Sequence, residues 1–329
     1  MTPIMKPTRR GFLQTGACFG LVAGLPAFAQ TTRAAGLQLS WLHSVQFGGS
    51  YIAAKNGYWM EQGLEVTLTQ GGPNAPVEPP VVTGQALVGI SAADYTAAAV
   101  AQGALFKIIG VAMQKNPFAI ASLTGNPVNT PADLIGKKIG MAVSNTPVLQ
   151  ALCKLNGVDI NGIEIVPTQY DPAPLVSGQV DCLLCWETDL PVAMTIQGVE
   201  NTTMLMADHG YALHSQTYIA TTDSIANRRA DLVALMRGEV RGWNDYQANP
   251  EAAAALTTQM FPDAGLDLPT QELQARKQVP LMFSDLTAAQ GFGWFTDETV
   301  AANIETLALL DRTVGADLWD RSILEEVHG

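Results

Sequence analysis

The fold is decided by one segment, Gly48-Gly-Ser-Tyr-Ile-Ala-Ala-Lys-Asn-Gly-Tyr-Trp-Met-Glu-Gln-Gly-Leu-Glu-Val66. Its apolar spacing predicts a helix over residues 49–60, ended by Gly63, and then a strand over residues 64–68. A second strand is predicted on the other side of the helix, over residues 37–41. Strand, helix and strand in this order are typical of a mostly parallel sheet covered by helices.

The same alternation continues along the chain and restarts after Pro127. Further strands are predicted at 87–90, 106–113, 138–142, 163–167, 182–185 and 203–206, with helices at 79–82, 94–102, 131–135, 147–156 and 190–197. After residue 221 the spacing becomes helical, over 232–246, 251–260, 271–282 and 298–314, and Trp243, Trp294 and Trp319 are predicted to be packing residues there. The pattern predicts an α/β protein with a helical C-terminal segment.

A short echo suggests that the chain contains two similar α/β lobes. Val82-Thr-Gly-Gln-Ala86 and Val176-Ser-Gly-Gln-Val180 each lie between a predicted short helix and a predicted strand. A five-residue match also arises by chance, so the restart of the pattern after Pro127 is the stronger indication of two lobes.

The charge of the chain is divided unevenly between the N-terminus and the rest. The 329 residues carry 30 acidic and 18 basic side chains, a net charge of −12, and residues 1–29 hold three of the bases and no acid. Without them, 300 residues would carry −15. A chain this acidic lacks the clustered Lys and Arg that nucleic acids and anionic membranes require, so neither is an expected partner.

The N-terminus has the features of an export signal. Thr8-Arg-Arg-Gly-Phe-Leu13 is a twin-arginine pattern, a mildly apolar run follows over residues 17–28, and Ala27-Phe-Ala29 fits a cleavage site before Gln30. The run is shorter than a membrane span. We therefore expect residues 1–29 to be a twin-arginine signal peptide that directs a soluble protein to the periplasm. Cys18 begins the apolar run instead of ending it, which argues against lipidation.

Three cysteines remain after the expected cleavage. Cys182-Leu-Leu-Cys185 has metal or redox spacing, but it lies in a predicted strand, where positions three apart face opposite sides. The pair is therefore interpreted as two small buried apolar side chains. A bridge from Cys153 to Cys182, or from Cys153 to Cys185, stays open at this point.

Four segments together resemble a known family. They are residues 48–66, Gly84-Gln-Ala-Leu-Val-Gly-Ile90, Pro131-Ala-Asp-Leu-Ile-Gly-Lys-Lys-Ile-Gly140, and Gly178-Gln-Val-Asp181 leading to Trp186. They resemble periplasmic substrate-binding proteins of ABC importers, in the group that binds sulfonates, taurine, nitrate and thiamine-pyrimidine precursors. The resemblance covers roughly residues 37–250, and the first segment is the most specific.

The resemblance implies a two-lobed periplasmic binding protein of type 2, with two hinge strands. The crossings would fall near residues 119–123 and 218–222, so that lobe one comprises residues 30–123 and 222–329 and lobe two comprises residues 124–221. A small-molecule ligand would bind between the lobes and favour their closure. The closed form, expected to be a monomer, would dock transiently on an ABC permease in the inner membrane.

Ligands of open α/β sheets bind beyond the carboxyl ends of the strands, and this rule selects the candidate site. The residues that follow predicted strand ends are Trp41, His43, Gln46, Phe47, Gly48, Asp94, Tyr95, Asn145, Thr146, Tyr170, Trp186 and Glu187. Several have a plainer interpretation. The tryptophans can pack in the core, Thr146 can be a helix N-cap, His43 can be a surface residue, and Asp94 and Glu187 can be solvated charges at helix starts.

These loops combine aromatic and carboxylate side chains and contain no Arg or Lys. Such a set suits a flat nitrogen heteroaromatic, such as an aminopyrimidine, which stacks on rings and donates N–H groups to carboxylates. The alternative within the same family is an anion of the sulfonate, taurine or nitrate type, which would bind at helix N-termini.

Two further classes of function were weighed. A ligand-sensing module would have the same fold and would dock on a receptor. Eukaryotic pyrimidine-precursor synthases also resemble these binders, but they carry a cysteine-rich motif and a lysine for pyridoxal phosphate. Cys182-Leu-Leu-Cys185 is not that motif, the lysines fall outside the candidate loops, and no other catalytic motif is present. We therefore expect no enzyme activity, no cofactor and no bound metal.

Overall fold

The computed structural model describes Met1, residues 32–73 and residues 75–329. The expected twin-arginine signal and cleavage site, and Cys18, lie outside the described residues. Among the helices that are described, none is long and apolar enough to cross a membrane.

The first of two sheets is mixed, with one antiparallel return strand near its edge. It contains β1 (Arg33–Gln38), β2 (Leu64–Thr69), β3 (Val88–Ala92), β4 (Phe106–Met113) and β10 (Ser215–Thr221), in the order β2-β1-β3-β10-β4. Strand β1 pairs in parallel with β2 and β3, whereas β10 runs antiparallel to both β3 and β4.

The second sheet repeats this arrangement. It contains β5 (Phe118–Leu123), β6 (Lys138–Met141), β7 (Glu164–Pro167), β8 (Cys182–Trp186) and β9 (Asn201–Leu205), in the order β7-β6-β8-β5-β9. Here β5 is the antiparallel strand, between β8 and β9. The predicted α/β class is confirmed. The echoed glycines, Gly84 and Gly178, have matching left-handed φ angles of 73° and 75° after a short helix, which only glycine adopts readily.

Fourteen α-helices surround the sheets in the described residues. They are α1 (Gly48–Asn56), α2 (Tyr58–Glu61), α3 (Glu78–Val82), α4 (Ala93–Ala101), α5 (Thr146–Leu155), α6 (Ala173–Val176), α7 (Leu190–Ile196), α8 (Thr222–Asn227), α9 (Arg229–Ala248), α10 (Pro250–Met260), α11 (Leu268–Met282), α12 (Asp285–Gln290), α13 (Asp297–Leu309) and α14 (Ser322–His328). The predicted helical C-terminal segment is therefore present. The single helix expected over residues 49–60 is divided at Gly57, whose φ is 72°.

The glycine pair of the opening segment lets two helices approach closely. Helices α1 and α9 cross so tightly that a Cβ on Gly242 would lie 2.0 Å from the Gly49 carbonyl oxygen. A Cβ on Gly49 would in turn lie 2.2 Å from the Trp243 ring, which is fully buried. The pair thus serves packing, as does Trp243, in agreement with the interpretation of that tryptophan as a core residue.

The chain passes between the sheets at places that differ from the expected ones. Strand β5 covers the expected crossing at 119–123 but is paired in the second sheet, and β10 covers 218–222 up to Thr221 but is paired in the first. The connections are residues 114–117 and 206–214. Asn116 ties them together by donating to the Leu213 carbonyl oxygen at 2.8 Å. The expected positions are displaced because each return strand pairs along its whole length after crossing.

Strand β8 places its two cysteines on opposite faces, as its period of two requires. Cys182 packs in the large core that also contains Cys153, and Cys185 packs in a smaller apolar cluster with Leu183. All three are buried free thiols, so neither possible bridge is formed. Burial raises the pKa of Cys182 to about 12 and that of Cys185 well above its usual value, which makes them poor nucleophiles.

Candidate functional site

The loop after β1 is used largely for packing. Phe47 is fully buried in the core, and a Cβ on Gly48 would meet the Tyr246 ring at 2.6 Å. His43 stacks on Phe261 with ring centroids 3.7 Å apart, and its Nδ1 lies 2.9 Å from the Tyr51 hydroxyl. Phe47, Gly48 and His43 were predicted to contact the ligand, and in the structure each of them has a packing partner within the chain.

Gln46 joins this loop to the C-terminal helices. Its backbone carbonyl accepts a hydrogen bond from the Gln278 side chain of α11 at 3.1 Å, and the neighbouring Val45 N–H donates to Gln271 Oε1 at 2.7 Å. Helix α11 is therefore fixed against the end of β1. The analysis of the sequence did not anticipate this contact, because the two segments are more than 220 residues apart.

The two candidate tryptophans have different surroundings. Strand β1 ends at Gln38 and not at residue 41, so Trp41 lies in the following bend with 44% of its surface exposed. Trp186 ends β8 and is partly buried, edge-to-face with Phe118 at 6.3 Å. Phe118 makes a second edge-to-face contact with Tyr211 at 6.2 Å. Trp186 thus begins a row of aromatic rings that leads to the connection between the sheets.

Asn145 and Thr146 lie at the start of α5, one position earlier than expected. A 3₁₀ turn over Val143–Asn145 runs directly into the helix, so Thr146 is already helical and Asn145 occupies the cap position. The Thr146 hydroxyl donates to the Val143 carbonyl oxygen at 2.7 Å. The interpretation of Thr146 as N-cap is therefore wrong, although both residues keep their place at the carboxyl end of β6.

Asp94 and Tyr95 begin helix α4 at the carboxyl end of β3. The Asp94 Oδ1 atom is buried and finds no hydrogen-bond partner among the described residues. Burial raises the pKa of this carboxyl, while the charge of Arg312 lowers it and that of Glu78 raises it. Tyr95 beside it is 66% exposed. A buried free carboxylate oxygen next to an exposed phenol is an arrangement that a ligand with an N–H group satisfies.

Tyr170 is an exposed phenol of the second sheet. It follows β7, and the residue is 55% exposed. Partial burial of the hydroxyl raises its pKa, and the negative charge of Asp189 raises it further. Burial also raises the pKa of Asp189, to about 6. Four residues follow strands of the two sheets and Tyr211 lies in the segment that connects the sheets, and we call these five the intersheet cluster: Asp94, Tyr95, Tyr170, Asp189 and Tyr211.

Tyr211 completes the intersheet cluster from the connecting segment 206–214. It is fully buried, and its hydroxyl has no hydrogen-bond partner in the described part of the chain. Burial raises its pKa, and the negative charge of Asp94 raises it further. The cluster thus contains aromatic rings and carboxyl groups from the segments that follow β3, β7 and β8 and from the connection.

Glu187 differs from the expectation that the cleft carboxylates lack basic partners. Lys277 of α11 pairs with its Oε1 atom, and the Glu187 side chain is only 15% exposed. Its Oε2 atom is buried and makes no hydrogen bond within the described residues. This pair joins the C-terminal helical segment to the end of β8, so the expectation of an unpaired Glu187 is wrong.

Sequence reasoning selected Asp94, Tyr95 and Tyr170 but missed Asp189, Tyr211 and Lys277. Asp189 lies only two residues beyond the selected Glu187, so a wider window after β8 would have included it. Lys277 lies on the helix predicted over residues 271–282, and no local signal marks it. In residues 32–73 and 75–329, no group of three His, Cys, Asp or Glu side chains is arranged to hold a metal ion.

Comparison with known proteins adds independent evidence. Residues 44–253 match the family model described as NMT1/THI5 like. The riboflavin-binding protein RibY of Chloroflexus aurantiacus is 28% identical over 291 residues, which cover 85% of this chain and 82% of RibY. The formylaminopyrimidine-binding protein of Halalkalibacterium halodurans is 21% identical over 66% of this chain and 67% of that protein.

The fold is also similar to solved structures. The periplasmic aliphatic sulphonate-binding protein SsuA of Escherichia coli has a TM-score of 0.64 at 16% identity, over 85% of this chain and 92% of that one. At this identity the likeness concerns the fold, including the two mixed sheets. The family model covers more than half of the residues, and on this basis the chain belongs to the NMT1/THI5-like family and has the fold of the periplasmic solute-binding proteins.

Proposed function

We propose that the protein captures a small, flat nitrogen heteroaromatic molecule between its two sheets and delivers it to an ABC permease. The observation that carries this proposal is the intersheet cluster, in which exposed Tyr95 and Tyr170 accompany a buried carboxylate oxygen of Asp94. Aromatic faces stack on a planar ring, and carboxylates accept hydrogen bonds from ring or amino N–H groups.

Delivery depends on two lobes that close around the ligand. We place the hinges at residues 114–117 and 206–214, where the chain changes sheets, instead of within β5 and β10. A ligand that touches Tyr95 on one side and Tyr170 on the other makes contacts to both lobes only when they are closed, and this difference in affinity favours the closed form. Export through the twin-arginine signal to the periplasm, docking as a monomer and the absence of catalysis belong to the same proposal.

The names of two relatives support the ligand class. RibY is called riboflavin-binding and the Halalkalibacterium halodurans protein formylaminopyrimidine-binding, and both ligands contain a flat nitrogen heterocycle. A sulfonate-type anion is the second candidate, favoured by the fold likeness to SsuA and by the presence of Lys277 beside Glu187. We rank it lower because Lys277 is already neutralised by Glu187 and because carboxylates dominate the intersheet cluster.

The proposal is tested by calorimetric titration of the protein from Gln30 onward, freed of bound ligand by partial unfolding and refolding. The probes are riboflavin, 4-amino-5-hydroxymethyl-2-methylpyrimidine and ethanesulfonate. We expect one of the two nitrogen heterocycles to bind with a micromolar or lower Kd and ethanesulfonate to bind at least 100-fold more weakly. Tight binding of ethanesulfonate with no binding of either ring would overturn the proposal.

The position of the site is tested by the two tryptophans at its edges. We expect Trp41→Ala and Trp186→Ala each to weaken binding about 10-fold or more, because an aromatic anchor contributes strongly to a buried contact. Leu105→Ala is the control. Leu105 is 70% exposed and precedes the amino end of β4, so it lies at the end of the first sheet that is opposite to the carboxyl ends of β3 and β4. Unchanged affinity in both tryptophan variants would show that the ligand binds elsewhere.

A further inference from the structure

Gln216 has an unusual environment for a buried amide. It is 2% exposed, yet neither its Nε2 nor its Oε1 atom makes a hydrogen bond with any described residue. A buried amide in this condition is costly, because it has lost its hydrogen bonds to water and gained none in return. Such groups in native structures require an explanation, and a bound ligand or water is one.

The backbone at Gln216 is also strained. Its φ is +47°, in the left-handed region that residues other than glycine adopt at a cost. The pairing of β10 with β3 shifts by one residue between Ser215 and Thr217, so Gln216 is the extra residue of a β-bulge. Bulges next to binding sites commonly redirect a side chain. The fold therefore maintains this buried side chain in a position that hydrogen bonding within the described residues does not explain.

The bulge lies at the end of the first sheet where the intersheet cluster is found. Ser215, directly before Gln216, is paired with Ala92, the last residue of β3, and with Met113, the last residue of β4. The Ala93 N–H, one residue before Asp94, donates to the His214 carbonyl oxygen at 3.1 Å. Because β10 is antiparallel, its beginning lies beside the carboxyl ends of its neighbours, which is where ligands bind.

Some of the other buried polar atoms without partners lie on segments that adjoin the bulge. Within the described residues they include Asp94 Oδ1, the Tyr211 hydroxyl and Thr217 Oγ1, in addition to the Gln216 amide. A single unpaired atom is explained by one water molecule. Donors and acceptors on α4, β10 and the connecting segment, all unpaired within the described residues, together offer several hydrogen-bonding groups to a ligand.

We infer that Gln216 is a specificity-determining residue that reads the polar edge of the ligand ring. Its amide presents one donor and one acceptor side by side, which matches a ring edge with an acceptor next to an N–H or amino group. Riboflavin has such an edge at its pyrimidine-type ring, and so does a 4-aminopyrimidine. A sulfonate has only acceptors and cannot use the Gln216 oxygen. This inference rests on the proposed function, because it assigns a role within that site.

The first test needs no variant. Wild-type protein is titrated with riboflavin and N3-methylriboflavin, and with 4-amino-5-hydroxymethyl-2-methylpyrimidine and its dimethylamino analogue. We expect methylation to weaken binding of the accepted ring by about 100-fold or more, because a site built for hydrogen bonding rejects an analogue that leaves its buried groups unpaired. If the accepted ring and its methylated analogue bind equally, the inference is wrong while the proposed function stands. If neither ring binds, the proposed function is wrong, and the inference, which rests on it, is wrong as well.

The second test uses Gln216→Met, which keeps the volume and length of the side chain and removes both hydrogen-bonding groups. We expect about 10-fold or greater loss of affinity for the accepted ring, together with an unchanged or higher melting temperature without ligand, since an unpaired buried amide no longer destabilises the fold. A purely structural Gln216, paired through waters, predicts the opposite: a lower melting temperature and unchanged affinity. Gln216→Glu, which replaces the donor by an acceptor, is expected to lose affinity as well.

Discussion

Two buried polar side chains on strand β10 differ in whether they are hydrogen-bonded within the chain. The Tyr218 hydroxyl donates to Glu239 Oε2 at 2.6 Å, and the same oxygen accepts from Ser50 Oγ and Trp243 Nε1, each at 3.0 Å. Two residues earlier, the amide of Gln216 has no partner among the described residues. The first group stabilises the core of the chain, whereas the second is available to a molecule from outside.

This difference distinguishes a buried polar group that stabilises the fold from one that is expected to bind a ligand. Both are fully buried and both lie on the same strand, so burial alone does not distinguish them. What differs is the number of hydrogen bonds. Glu239 Oε2 accepts three, from α1, α9 and β10, although Glu239 Oε1 has no partner among the described residues, whereas neither polar atom of the Gln216 side chain makes any. Because an unpaired buried group lowers stability, it persists where a ligand completes it.

The largest expected effect concerns the structural side of the comparison. Glu239→Leu would leave the donors of Ser50 and Tyr218 in the core without their acceptor, and we expect the free energy of unfolding to fall by about 3 kcal/mol. Urea denaturation followed by circular dichroism measures this change. Glu239→Gln, which retains one acceptor oxygen, is the control and should lose about 1 kcal/mol. A Glu239→Leu protein as stable as wild type would contradict the assignment.

The pH dependence of stability gives a second test of Glu239. Burial raises its pKa to about 7, from 4.5 for an exposed glutamate, so the folded state binds a proton that the unfolded state does not. This group therefore favours the folded state at low pH and loses that contribution as pH rises from about 4.5 to 7. We expect the stability difference between wild type and Glu239→Gln to change by on the order of 2 kcal/mol across this range. A difference independent of pH would show that Glu239 titrates normally.

On the ligand side, the exposed ring of Tyr170 should affect binding and not folding. We expect Tyr170→Ala to weaken binding of the accepted ring about 10-fold, or about 1.4 kcal/mol, with the melting temperature unchanged because the side chain is half exposed. Isothermal titration and a thermal melt of the same preparation separate the two effects. A loss of stability without a loss of affinity would show that Tyr170, like Glu239, stabilises the fold and does not bind the ligand.

The smallest effect distinguishes two neighbours on α11. Lys277 pairs with the largely buried Glu187, while Arg276 pairs with Glu251 at 3.1 Å and both of those side chains are about half exposed. We expect Lys277→Met to lower the free energy of unfolding by about 1 kcal/mol and Arg276→Met by less than about 0.5 kcal/mol. Chemical denaturation of the matched pair is the measurement. Equal effects would mean that Glu187 is as well solvated as Glu251.

Much of the fold followed from the sequence because it depends on local patterns. The alternation of strands and helices, the restart after Pro127 and the helical tail are all set by the periodicity of apolar residues, and all are present in the structure. The echo around Gly84 and Gly178 has a local cause as well, since both positions require a left-handed backbone. The places where the chain changes sheets differ from the expected crossings because the pairing of β5 and β10 is decided by partners far away in the chain.

The residues of the candidate site also fall into two groups, those that local sequence patterns predict and those that only distant contacts bring into place. Asp94, Tyr95 and Tyr170 follow the carboxyl ends of parallel strands, so a rule applied to the sequence alone selected them. Gln216 lies at the beginning of a strand, and it reaches the same edge only because β10 runs antiparallel, which the sequence does not reveal. Lys277 pairs with Glu187, which is 90 residues away, and Glu239 accepts a hydrogen bond from Ser50, which is 189 residues away. Local periodicity determined the elements, and only the tertiary pairing decided which buried polar groups are satisfied and which are left for a ligand.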